Sequence, residues 1–215
     1  MICRTKRIKI ENIKVEQVLE FEGKTNIYEK AVFLDLEHYV YKHPICIGVF
    51  GACIYDKKKK SLIFTQYMIE NNEDASKIIY KVCKYLKHAK GKLKKQYLVT
   101  FSGNNDCTVI DYLFKEKNIA LDVRKYFKEI DLQKNYEKTK KEGIGLKNLE
   151  KIFNIERKGE NISGMNLAKT ISKIITSEEY FHNMPKEKIE KILIYNEQDV
   201  VNLFYILTRW NKYIF

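Results

Sequence analysis

The residues of this chain best suited to chemistry are acids set among apolar neighbours. In FLDLEHYV (33–40) the side chains of a strand alternate between faces, so Val32, Leu34 and Leu36 point one way while Phe33, Asp35, Glu37 and Tyr39 share the other. Asp35 and Glu37 then stand about 7 Å apart on one face, at a strand rise of about 3.3 Å per residue. Neighbouring carboxylates on a half-buried strand repel each other and lose hydration, so a cation or solvent must compensate them. A third acid, Asp106, follows the strand-like QYLVTF (96–101) and the turn SGNN; taken alone, it is explained by capping the next helix. A fourth, Asp199, shares with Asn196 an otherwise apolar stripe of the last helix, which runs through Ile189, Ile192, Leu203, Ile206 and Trp210. Alone it reads as a satisfied core acid, but Tyr195 lies one turn earlier, at i and i+4, and its hydroxyl reaches the same place.

Together these four carboxylates would form a local well of negative charge in a basic chain, and such a well is self-consistent when it holds divalent cations. Ligation by oxygen alone selects Mg²⁺ or Mn²⁺ over zinc. Two such ions about 3.5–4 Å apart can stabilise the attacking and leaving oxygens of a phosphoryl displacement. That is nuclease chemistry, with Lys and Arg side chains to hold the phosphate backbone.

The elements that must position these groups are strands first, then alternation of strand and helix, then helices. Strand-like runs occupy 31–37, 45–54 and 61–69, and YDKKKKSL between the last two reads as an exposed hairpin turn, giving an antiparallel meander. A helical period follows at 74–88, then the strand at 96–101, a helix from near Asp106, and a further strand at 127–132. The remainder reads as helical at 145–153, at 164–175 and in a long last helix entered through Pro185. This order predicts an α/β domain: a mixed central sheet, antiparallel in its first three strands with parallel additions, flanked by helices on both faces. A single domain is expected over 1–215, with its core at about 30–212 and a short N-terminal extension at 1–29.

The bulk composition agrees with a globular chain that meets a polyanion. Over 215 residues the hydrophobic content is 45%, while the net charge is +12 and the pI is near 9.3. The five cysteines contain no C-x-x-C pair, which argues against a disulfide framework or a structural zinc site. The basic start MICRTKRIKI leads into no apolar segment, and no apolar run approaches the ~18 residues of a membrane span, so a cytoplasmic protein without membrane contact is expected.

The ordered set DLE (35–37), the acid after FSGNN, and YNEQD (195–199) resembles the motifs of the DEDD (DnaQ-like) exonuclease superfamily, in its tyrosine-bearing branch. The stretch GLKNLEKIFNIERKGENISGMNLAK (145–169) with ILIYNEQDVVNL (192–203) is similar to YprB-type ribonuclease-H-like domains of bacteria. The resemblance covers about residues 30–210 and implies a ribonuclease-H-like fold. It also implies a 3′–5′ exonuclease that acts on single-stranded DNA or RNA ends and releases nucleoside 5′-monophosphates.

By the same resemblance Asp35 would ligate two ions, Asp199 the first and Asp106 the second. Glu37 would ligate one ion and help hold the attacking water, which Tyr195 would orient. Asn105 and Asn196 would stand behind these ligands, and with His38 and Lys147 they are the candidates for substrate contact. His38 occupies a position where the family commonly carries Thr or Ser, and Asn105 precedes Asp106 where an aromatic residue is usual. A structure-specific endonuclease or a non-catalytic nucleic-acid-binding module on the same fold are the alternatives, although a pure binding module has no use for acids that repel phosphate. No protein partner is inferred.

Overall fold

The computed structural model describes residues 1–159 and 162–214. In chain order its elements are β1 (Ile2–Lys9), β2 (Ala31–Tyr41), β3 (His43–Asp56), β4 (Ser61–Met68), α1 (Asn72–Gly91), β5 (Tyr97–Thr100), α2 (Asn104–Glu116), α3 (Val123–Tyr126), β6 (Lys128–Asp131), α4 (Leu132–Lys140), α5 (Leu146–Ile152), α6 (Gly164–Thr176), α7 (Lys186–Thr208) and α8 (Trp210–Tyr213). The six strands form one sheet in the order β1-β4-β3-β2-β5-β6. The β2–β3–β4 meander and β1 pair antiparallel, whereas β5 and β6 add in parallel beside β2 through helical crossovers. The mixed α/β architecture expected from the element order is the one observed.

Period-two alternation on β2 sorts the core into two halves. Val32, Leu34 and Leu36 pack with residues of α1, α2 and α6, such as Ile78, Ile110 and Ile171. Phe33 on the other face packs with Leu149 and Phe153, in α5 and just after it, and with Phe204 of α7. Helix α7 contributes to both halves: Ile192 and Leu193 belong to the first, and Val200, Leu203 and Phe204 to the second. Tyr195, Asn196 and Asp199 fall in the interval where the helix changes sides, which is why polar groups interrupt its stripe there.

Two elements differ from the expectation. The first residues form β1, an edge strand paired with β4 from Ile2↔Met68 to Lys9↔Ser61. Nearly all its side chains are exposed, so it shows no apolar alternation to read, and its charges find acids elsewhere, as in Arg7–Asp56 at 2.8 Å. Helix α4 is the other; Asp131 caps it by accepting from Gln133 N at 3.0 Å and Lys134 N at 3.3 Å. Within the family-like stretch 145–169, residues 160 and 161 lie outside the described residues, as does the last residue of the chain. Among the described residues no helix is long and apolar enough to cross a membrane.

Candidate active site

The site is built on a row that crosses three strands. Asp35 of β2 stands opposite Gly51 of β3, and Gly51 stands opposite Gln66 of β4. Gly51 carries no side chain at the point where α7 crosses, and a Cβ there would collide with the Asn196 amide oxygen. The vacant position lets the Asn196 amide bridge the row. Its Nδ2 donates to Asp35 Oδ2 at 3.0 Å, and its Oδ1 accepts from Gln66 Nε2 at 2.8 Å. Gln66 Nε2 also donates to the Leu193 carbonyl at 2.9 Å, tying the relay to the backbone of α7. Asn196 is fully buried and Gln66 nearly so, so these amides hold the Asp35 carboxylate in one orientation.

Asp35, Glu37 and Asp199 converge above this row. One carboxylate oxygen from each lies within 4.8 Å of the others; Asp199 is buried and the other two are half-buried. Burial raises Asp35 well above the usual carboxylate range, reinforced by Asp199, Asp106 and Glu37 and opposed by the Asn196 hydrogen bond. Burial, with the charges of Asp199 and Asp106, pushes Glu37 up to about 8, against the pull of Lys147 and Arg157. Asp199 is pushed up by burial to about 6, with Arg157 acting in the other direction. Three acids raised in this way form an oxygen-only donor set that a divalent cation would deprotonate and bind. The residues present fit such an ion.

Tyr195, half-buried beside the acids, is raised above its ordinary value by burial and by Asp199 and Glu37. It is therefore a neutral phenol that can donate or accept a hydrogen bond but is no base. Two cations frame its ring: Lys147 Nζ stands 5.1 Å and the Arg157 guanidinium 5.2 Å from the centroid. Arg157 bonds Asp199 by a close ion pair and bonds Glu150 bidentately, Nε to Oε2 at 2.5 Å and Nη2 to Oε1 at 2.7 Å. Asn202 of α7 also donates to Glu150 Oε1, at 2.7 Å. Burial would lower the Arg157 pKa, but the two carboxylates more than offset it, so a permanent positive charge sits against Asp199.

Asp106 is buried in the first turn of α2, where Gly103 rather than Asp106 takes the cap position. Burial raises it well above the carboxylate range, followed by the charges of Asp131, Asp199 and Glu129. It faces the same charge field as the other acids but does not belong to the group within 4.8 Å. Gly103 makes this placement possible, since a Cβ there would run into Thr100 Oγ1 and the Glu129 carboxylate. Asn105 is exposed beside it, its backbone N–H donating to the Ser102 carbonyl at 3.2 Å. His38 follows a register shift between Glu37 and His38 where β3 carries Gly48 as an extra residue. Its Nδ1 is buried without a partner among the described residues, and burial lowers its pKa.

Sequence reasoning does not find Gln66, Gly51, Arg157, Asn202 or the pairing of Glu150. Gln66 in a strand otherwise rich in apolar residues is the one local signal, because a buried amide demands partners. A family model of the RNase H superfamily matches residues 32–211. No curated protein and no solved structure matches the chain.

Proposed function

The chain belongs to the RNase H superfamily, and from that premise we propose that it is a metal-dependent 3′–5′ exonuclease. In this reading it hydrolyses phosphodiester bonds at the ends of single-stranded DNA or RNA and releases nucleoside 5′-monophosphates. The observation that carries the reading is the convergence of Asp35, Glu37 and Asp199 within 4.8 Å beside Tyr195. The choice of end rests on the likeness of DLE, the acid after FSGNN, and YNEQD to the DEDD motifs. Five free cysteines accord with a reducing, cytoplasmic setting.

Asp35, Glu37 and Asp199, joined by Asp106, are the groups that would hold two Mg²⁺ or Mn²⁺ ions. When bound, these ions would supply positive charge to the attacking and leaving oxygens of the phosphodiester. Asn196 and Gln66 keep Asp35 aimed, so its carboxylate does not reorganise as substrate arrives. Glu37, which such an ion would deprotonate, would ligate one of them and help hold the attacking water. Tyr195, held neutral, orients that water by hydrogen bonding. Lys147 supplies cationic charge for the phosphate while Arg157 stays paired with Glu150 and Asp199, and Asn105 and His38 are proposed to line the path of the terminal nucleotide.

Incubation with 3′-labelled single-stranded oligonucleotides and Mg²⁺ or Mn²⁺ tests this. Labelled mononucleotides are expected as the first product, and Asp199→Asn should abolish their release. Internal fragments instead of mononucleotides would favour the endonuclease reading, and no hydrolysis with either ion would overturn the assignment.

A further inference from the structure

A cleft of about 390 Å³ between α6 and α7 gathers Lys169, Lys173, Lys188 and Tyr180 over a floor that includes Leu167 and Ile192. Lys173 and Lys188 place their ammonium groups 5.5 and 5.6 Å from the centre of the Tyr180 ring, and Lys188 Nζ donates to its hydroxyl at 3.1 Å. Among the described residues no carboxylate pairs with Lys169, Lys173 or Lys188. The basic surface beside α3 differs, since Arg124, Lys125 and Lys128 each have an acidic partner. Two ammonium groups held against one ring repel each other, and an external anion offsets that repulsion.

The cleft adjoins the candidate active site. Ile192 stands three residues before Tyr195 and Lys188 seven, so this side of α7 extends about 10 Å from the tyrosine, at about 1.5 Å per residue. Ile162 also lines the cleft, and its carbonyl accepts from Lys147 Nζ at 3.3 Å, the same ammonium that lies over the Tyr195 ring. Cationic groups therefore continue from the acids into the cleft. An apolar floor beneath a basic rim with an aromatic side chain is the surface chemistry that holds single-stranded nucleic acid.

Resting on the nuclease reading, the geometry points to this cleft as the binding site for the phosphate backbone of the substrate strand behind the end being cleaved. At a rise of about 3.4 Å per nucleotide in a stacked strand, the lysines meet phosphates about three nucleotides from that end.

Fluorescence anisotropy with labelled oligo(dT) and oligo(U), in EDTA so that nothing is cleaved, tests it as a function of salt. The double variant Lys173→Gln/Lys188→Gln should bind more weakly and reduce the log–log salt slope by about 1.4, about 0.7 per lost phosphate contact. Lys173→Arg/Lys188→Arg should keep the slope, and Lys58→Gln/Lys59→Gln on the β3–β4 turn should leave both affinity and slope unchanged. A wild-type slope in the Gln double variant, or an equal drop in the turn control, overturns the proposal. So does a wild-type protein that binds neither oligonucleotide. The binding arm is independent of hydrolysis: the expected slope changes with no cleavage under Mn²⁺ would uphold the cleft and overturn the nuclease reading alone.

Discussion

Glu37→Gln provides a direct measure of the charge stored in the acid cluster. In the folded protein burial and neighbouring acids push Glu37 up to about 8, against an ordinary 4.5. Its pKa is raised by folding, so its contribution to stability is complete below about pH 4.5 and is lost as pH rises through about 8. Between those limits the loss approaches about 1.4 kcal/mol per pH unit, which gives about 2.5 kcal/mol between pH ~5.5 and ~7.5. For a chain of this length 1 kcal/mol moves Tm by about 2–4 °C, so Glu37 alone should lower Tm by about 5–10 °C across that interval. Thermal melts of EDTA-treated protein at the two pH values should show this decline in the wild type. In Glu37→Gln the decline should be smaller by that amount, with the variant the more stable of the two at the higher pH. Saturating Mn²⁺ should raise the wild-type Tm most at the higher pH, where the carboxylates are most ready to lose their protons. A variant with the wild-type pH dependence, or one less stable than wild type at the higher pH, would refute the reasoning that Glu37 is buried against like charge.

Two further substitutions probe the supports of the site. Gly51→Ala should destabilise the protein by about 1–3 kcal/mol and reduce nuclease turnover, because the new methyl displaces Asn196 and frees Asp35; Gly91→Ala, where nothing lies within 4 Å, should do neither in the same urea-denaturation and turnover assays. Arg157→Met should cost about 3–5 kcal/mol in EDTA by stranding Glu150 and Asp199. Mn²⁺ should recover only the part belonging to Asp199, a difference that chemical denaturation with and without the ion measures.

Local periodicity alone makes much of this protein legible. Alternation along 31–37 determines that Asp35 and Glu37 share a face, and the i, i+4 spacing of Tyr195 and Asp199 sets them one helical turn apart; both are properties of backbone geometry that neighbours along the chain suffice to define. The apolar runs at 45–54 and 61–69, with the lysine-rich turn between them, likewise specify the meander. Edge strand β1 escapes because exposed side chains carry no alternation. Only the tertiary structure decides which partners the acids have. Asn196 reaches Asp35 across 161 positions of sequence, Gln66 reaches Asn196 across 130, and Arg157 reaches Asp199 across 42. Folding also leaves Asp106 outside the group formed by Asp35, Glu37 and Asp199, and it gathers Lys169, Lys173 and Lys188, none paired with a carboxylate among the described residues, in a cleft along α7. Such contacts follow from where α7 crosses the sheet at Gly51 and from how α6 packs against it, and no spacing within a single segment encodes that crossing.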